Sequence, residues 1–420
     1  MRKSLAAATT IALALPLATV ATVSRASEAP SSPASVLAWN STAVSTVLAS
    51  GQFQAQGMVH LAYVQAAVYD AVVAVSHHGR PYVGHLRTFV PASLDAAVAT
   101  SAHDILALQY PAQSAIYDPA YASALAAITN GPDKDQGVAI GHQSASDVLA
   151  ARAGDGLEAH VAYTFGSGPG AWVLPTDNPS TTPQTPWVGA MRPFLVSSAD
   201  QYLPRSQPKL TSARYAVDFN ETKDYGSKTS SVRTAEETLV AKFWSANINT
   251  VYNATARSVA TNQSMDAIGT ARLLALTDLV GADSLIACMN AKYTYSAWRP
   301  YTAIRNAGTD GNPDTTADPS WTPLLLTPNH PEYPAAHGCI TGAEAEVMAD
   351  AVGTRHINVD ITSPVTGTTR HFDTVRQLDT EVVNARVWGG LHFRNSVEAG
   401  MQMGRDIAWD ALDRFPGDPR

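Results

Sequence analysis

Apolar residues recur at helical spacing along most of this chain. In residues 36–76 the runs VLAWNSTAVSTVLAS and MVHLAYVQAAVYDAVVAV place apolar side chains three and four apart, with few breakers. Residues 92–109, 117–129 and about 134–153 repeat the pattern and predict three more helices. Short Pro/Gly turns between them predict antiparallel neighbours.

The pattern lapses from Phe165 to about Leu210, where Gly, Pro, Ser and Thr are dense. Trp172, Trp187 and Phe194 make this stretch too apolar for a mobile linker. It reads as an ordered, irregular excursion packed over the helices and covering a pocket. Helical spacing returns at about 212–226, 233–248 and 263–280. Gly281 reads as a break and Asp283 as the cap of a new helix, SLIACMNAKYTYSAW, that stops before Pro300. A Gly/Asp/Pro loop occupies 307–320, and CITGAEAEVMADAV predicts a helix after His337. Residues 357–370 are polar and β-branched and predict a hairpin, followed by helices at about 373–387 and 391–413. No repeat of 20–50 residues is evident.

At 420 residues the chain is one large domain or two fused units. It is 45% hydrophobic and only 15% charged, which fits a sizeable core of closely packed, Ala-rich helices. A net charge of −8 argues against a nucleic-acid partner. Arg2 and Lys3 precede an apolar run from Leu5 to Val20, and Ser24-Arg25-Ala26 offers small residues at a cleavage site. Residues 1–26 therefore read as a secretory signal peptide, with an uncleaved membrane helix as the alternative. No later run of eighteen apolar residues follows, so no integral membrane segment is expected after cleavage and the protein is expected to be secreted. Residues 27–420 are then one α-helical domain: helices and the irregular segment over 27–210, the chemistry-bearing bundle over 211–420.

Three stretches of the second half carry candidate chemistry. Lys292 and Arg299-Pro300 stand in AKYTYSAWRP, seven apart, which on one helix puts both cations near one face. Alone, such a pair is an ordinary solvated face, but Tyr293, Tyr295 and Trp298 make this one unusually aromatic. His337 stands just before a helix, where backbone N–H groups favour anions. Arg386 and His392 flank Trp388-Gly389-Gly390, and His392 would open the last long helix. Alone, R-x5-H arises by chance and His392 reads as a core or capping histidine. In order, K-x6-R-P, P-x-x-H and R-x5-H supply three cations and two imidazoles, the parts of one oxyanion site. Apart from His330, the other nine histidines have no comparable setting, and HHGR at 77–80 lacks the second half of a zinc site.

This ordered set resembles the superfamily that joins vanadium-dependent haloperoxidases to type-2 phosphatidic acid phosphatases, in its secreted bacterial haloperoxidase-like branch. The specific residues lie in about 290–400. The resemblance implies an all-α fold of two four-helix bundles in one compact domain, the anion held in the second. It implies vanadate as cofactor, with phosphate able to occupy the same site. Lys292, Arg299, Arg386, His337 and the Ala336 N–H would hold the anion oxygens. His392 would ligate the metal or, in a phosphatase, attack phosphorus, and His337 would move protons. If the motifs converge, Cys288 and Cys339 come close, and a disulfide between them is expected, with two buried thiols as the alternative.

Departures from the family pattern are specific. Its P-S-G-H reads Pro334-Ala335-Ala336-His337, so the Ser hydroxyl is missing at Ala335. A lost hydrogen bond to a charged group costs about 1.5–3 kcal/mol. Where many members carry Asp, four after the metal-ligating His, this chain has Ser396, leaving Glu398 or a backbone carbonyl to orient His392. His330, in HPEYPAAH, stands where algal bromoperoxidases carry His, which points to tuning of halide or peroxide handling, bromide over chloride. The expected activity is peroxide-dependent oxidation of halide, bromide or iodide favoured, to hypohalous acid that halogenates a small organic acceptor. A secreted acid phosphatase working through a phosphohistidine is the first alternative. A degenerate oxyanion-binding or metal-free relative is the second. Oligomeric state is not legible.

Overall fold

The computed structural model describes residues 31–415, so the expected signal peptide at 1–26 lies outside the described residues. Among them are thirteen α-helices and one two-stranded hairpin, the mostly helical fold expected. The runs read in 36–76 form α1 (Ala34–Ala49) and α2 (Gln54–Ser76). The next three form α3 (Leu94–Gln109), α4 (Ser114–Ala127) and α5 (Pro132–Ala151). Their starts are chemically marked. Ser93 caps α3 by accepting from the Ala96 N–H (3.3 Å), and Pro132 opens α5 with its preset φ.

α2 is apolar all round because it is enclosed by α3, α5 and α9 (Ala267–Tyr295). By length and composition α2 and α9 could each cross a membrane, but 94% of the apolar window of each is buried inside the protein. α9 packs on both halves of the chain, and one hydrophobic core runs from Val36 to Phe415.

Gly281 does not break α9, contrary to the sequence expectation. A Cβ there would lie 2.9 Å from Glu344 Oε1, so the glycine admits that carboxylate to the helix surface. Nor does Asp283 cap a helix. It is buried in mid-helix and accepts the N–H groups of Phe194 (2.5 Å), Leu195 (2.7 Å) and Val196 (2.9 Å). It thereby pins the irregular segment, which is ordered and buries Trp172, Val188 and Val196.

α7 (Ala235–Phe243) starts at a capping box of Thr234 and Glu237 but ends five residues before the expected 248. α8 (Ile248–Asn262) was not legible beforehand. Its Asn, Thr and Val residues have weak helix propensity, and what holds it is burial of Val251, Tyr252, Thr255 and Val259 on one face. The expected hairpin is β1 (Val359–Ser363) and β2 (Thr368–Phe372), antiparallel with Val359 opposite Phe372. α6 (Ala213–Gly226), α11 (Ala336–Val352), α12 (Val375–Trp388) and α13 (Arg394–Arg414) complete the second half, beside the short α10 (Pro300–Arg305). α11 and α13 touch backbone to backbone: a Cβ at Gly404 would strike the Cys339 carbonyl oxygen.

Candidate active site

α9 ends at Tyr295, where Ser296 turns left-handed (φ 47°). Lys292 is thus in the last turn, while Arg299 lies beyond the helix, extended before Pro300 (φ −79°, ψ 156°). The two do not share a helix face, correcting the sequence reading. The strand-like stretch after α9 is held on both sides: Trp172 N–H donates to Ser296 O (2.8 Å), and Glu332 N–H to Ala297 O (2.9 Å).

This places both cations against the loop His330-Pro331-Glu332-Tyr333-Pro334. Lys292 Nζ donates to the carbonyls of Pro331 (2.9 Å) and Glu332 (3.0 Å). Arg299 Nε donates to His330 O (2.8 Å), and its Nη1 to Leu391 O (3.0 Å). Loop carbonyls that prolines leave outside any ladder thus find donors in the site's own cations.

The loop leads into α11. Ala335 is its N-cap without a side-chain cap, and Ala336 and His337 fall in its first turn, so His337 opens the helix from within. Cys339, two residues after His337, is disulfide-bonded to Cys288 of α9 (Cα–Cα 6.3 Å), joining the Lys292 and His337 elements as expected. On the far side α12 delivers Arg386 in its last turn. Gly390 (φ +74°) then reverses the chain, where a Cβ would come within 2.5 Å of Gly226 O. His392 follows, two residues before α13 rather than within it.

His330, Ala336, His337, Arg386 and His392 meet on one cavity of about 340 Å³. Lys292 and Arg299 do not line it; they are fully buried immediately behind it. The convergence is nonetheless close. Arg299 Nη1 lies 3.0 Å from His392 Nε2, and Arg299 Nη2 lies 3.0 Å from His330 Nδ1. The irregular segment does not cover this cavity as expected. It braces the loop from outside, Gln184 N–H donating to Asn329 O (2.7 Å) and Asn178 Nδ2 to Thr327 O (2.7 Å).

Two contributors escaped the sequence reading. Glu332 Oε1 accepts from His392 Nδ1 (2.9 Å) and from the Phe393 N–H (3.1 Å). It is therefore the group that orients His392; Glu398 instead faces Arg214 (3.2 Å). Its only sequence signal was an acidic residue inside HPEYP. The second is Trp244, just past α7, whose carbonyl accepts from Arg386 Nη1 (3.0 Å) and whose backbone also hydrogen-bonds the His337 ring. With Nδ1–H donated to Glu332, His392 has its lone pair at Nε2, where it accepts from Arg299 Nη1 (3.0 Å).

Burial and neighbouring cations set the charges. Burial, then Arg299, pushes the Lys292 ammonium well below its ordinary range, with Glu332 opposing. Burial lowers Arg299 to about 10 and, aided by Arg299, Arg386 to about 9. His392 is held well below its usual value by burial, then by Arg299 and Lys292, and His337 by burial, then Arg386. Both imidazoles are therefore neutral at pH 7. Burial raises Glu332 while Lys292 and Arg299 pull it down.

A tetrahedral oxyanion fits these residues. Lys292, Arg299 and Arg386 are buried, and among the described residues none has a carboxylate within 4 Å. Arg299 and Arg386 keep their charge near neutral pH, while burial raises the nearest carboxylate, Glu332, to about 7, so the site is left positive. Arg386 Nε and His337 Nε2 are buried without partners, and the first N–H groups of α11 face the same space.

Residues 272–416 match the VCPO second helical-bundle domain. A curated relative, the vanadium chloroperoxidase of Curvularia inaequalis, is 27% identical over 33% of this chain and 29% of its own length. The chain thus spans under a third of that relative. Among solved structures, the first bacterial vanadium-dependent iodoperoxidase superposes with TM-score 0.78 at 22% identity, over 92% of this chain and 98% of that one. A holo bacterial vanadium-dependent chloroperoxidase follows with TM-score 0.70 at 18% identity, over 85% and 91%. The fold is the helical haloperoxidase fold, and the resemblance to the vanadium haloperoxidases read from the motifs is borne out.

Proposed function

We propose that this chain, which carries the second helical bundle of the vanadium haloperoxidases, oxidises halide with hydrogen peroxide to hypohalous acid. The observation that supports this most is the pair of neutral imidazoles on one cavity backed by three buried cations. His392 Nε2 would take the metal of a bound vanadate, Arg386 and the Ala336 N–H would hold its oxygens, and Lys292 and Arg299, buried behind the cavity, would add positive charge from there. When bound, that group supplies an electrophilic centre for peroxide and halide. Glu332 fixes the His392 ring and strengthens it as a ligand. His337 Nε2, without a protein partner, takes the peroxide proton and returns it to the leaving oxygen. The arginines stay charged throughout and stabilise negative charge on oxygen.

Bromide or iodide is favoured over chloride, because His330, which lines the cavity beside Arg299, stands where the bromoperoxidases resembled by HPEYPAAH carry a histidine. Action outside the cell fits the N-terminal sequence and the Cys288–Cys339 disulfide, which suits an oxidising compartment. A phosphatase is the second reading, favoured by one observation: a carboxylate on Nδ1 of His392 also suits a histidine that attacks phosphorus.

The test is to load purified protein with vanadate and assay bromination of an activated diketone with peroxide and bromide, with the vanadate-free form beside it on an aryl phosphate. Bromination that requires vanadate is expected; phosphate release only from the vanadate-free form would establish the alternative. His392→Ala removes the ligand and should lower either rate at least about 1,000-fold. An undiminished rate would refute its role.

A further inference from the structure

The cavity has a second surface besides its polar floor. Its walls are apolar: Phe53 before α2, Ile248 opening α8, Leu285 in mid-α9, and Leu325, Leu326 and Pro328 from the loop before His330. Only Gln54 and Ser245 interrupt them with polar groups, and both are already engaged. Gln54 Oε1 accepts from the Ile248 N–H (3.0 Å), and Ser245 Oγ donates to Lys242 O (2.7 Å). No wall residue carries a charge. Leu326 stays 59% exposed at this surface, and Phe53 lies against the His330 ring with centroids 5.5 Å apart.

Size separates floor from walls. An oxyanion of five heavy atoms, at roughly the 30 Å³ a water occupies for each, fills less than half of about 340 Å³. The remainder is apolar and sits at the small end of ligand sites, roughly 300–1,000 Å³ in all.

We propose that the apolar part seats the acceptor itself: a neutral, electron-rich single-ring compound such as an alkylphenol. Halogen transfer then happens inside the cavity rather than after hypohalous acid escapes. This rests on the peroxidase reading. Halide, peroxide and one proton give hypohalous acid and water. A ring carbon then attacks the halogen; the carbon–halogen bond forms, the oxygen–halogen bond breaks, and the released hydroxide takes the ring proton as water. The substrate loses two electrons overall and peroxide is reduced to two waters.

The walls make two demands on the acceptor. It must bring no charge, since nothing on them could pair with one. It must also be small enough for the volume that an oxyanion leaves beside Phe53, Leu325 and Leu326.

The probe is thymol. Calorimetric titration into vanadate-free and vanadate-loaded protein should show one saturable site in both. Leu326→Asp and Phe53→Ala should weaken it at least tenfold, with thermal melts confirming that each folds. Leu108→Asp, on the exposed face of α3, should leave it unchanged. In turnover, the para-to-ortho ratio of bromothymols should differ more than twofold from that given by reagent hypobromous acid, and Leu326→Asp should move it to the reagent value. Bromination at the reagent ratio without saturable thymol binding overturns this proposal alone. Thymol binding with no bromination under any condition overturns the peroxidase reading, and the transfer step with it.

Discussion

Two buried polar regions of this molecule handle charge in opposite ways. Around the cavity, Lys292, Arg299 and Arg386 are buried with Glu332 as the one buried carboxylate acting on them. Elsewhere in the core, Asp278 on α9 and Glu344 on α11 are both fully buried, with Arg257 the one cation acting on Asp278. Asp278 Oδ1 accepts from Asn253 (2.8 Å), which in turn meets Asn40 (2.6 Å). Both Glu344 oxygens lack a hydrogen-bond partner. Burial raises Asp278 to about 7 and Glu344 well above its usual value. A carboxylate can escape the penalty of burial by taking a proton. An arginine cannot escape it by losing one near neutral pH, since even at about 9 or 10 Arg386 and Arg299 stay charged. The acidic pair can therefore be silent, while the cationic site must find an anion.

The sharpest way to break this contrast is to remove one cation. Arg386→Met should lower vanadate affinity and turnover by about 100-fold, while stabilising the anion-free protein by on the order of 1 kcal/mol. Activity assays and thermal melts without oxyanion check both halves; a destabilised anion-free variant would mean the charge is already compensated.

A smaller effect separates holding an anion from ligating a metal. Glu332→Gln keeps a hydrogen bond to His392 but removes the charge that strengthens the ring as a ligand. Vanadate affinity should fall about tenfold. Phosphate affinity, which needs no bond to His392, should not fall, as competition titrations would show.

An effect confined to stability, with none expected on the anion site, tests the acidic side. Asp278 is raised in the folded state, so its contribution is present below the unfolded carboxyl range, near pH 4, and is lost as pH rises through about 7. Asp278→Asn keeps the acceptor for Asn253 and cannot ionise. It should match wild type near pH 4 and exceed it above pH 7 by on the order of 1–3 kcal/mol in denaturant titrations. Equal pH profiles would contradict the assignment.

How legible all this was depends on the interaction concerned. Periodicity located α2, α3, α5, α11 and α13 because their apolar residues recur at helical spacing. It missed α8, whose Asn/Thr-rich sequence is helical only through tertiary burial, and it read Gly281 and Asp283 as punctuation. Those two serve distant partners, Glu344 and the 194–196 backbone, that no local pattern reveals. The five motif residues were found because type and order together are distinctive. Their division into cavity-lining groups and buried support was not, since the end of α9 depends on Ser296 turning left-handed. Glu332 was overlooked because it lies sixty residues before the histidine it orients.

The most direct measurement is a calorimetric titration of orthovanadate into the purified protein and into Arg386→Met. One saturable site per chain, weakened at least tenfold in the variant, is the predicted result. No binding, or binding undiminished by loss of that guanidinium, would contradict the claim that the three buried cations converge on one anion.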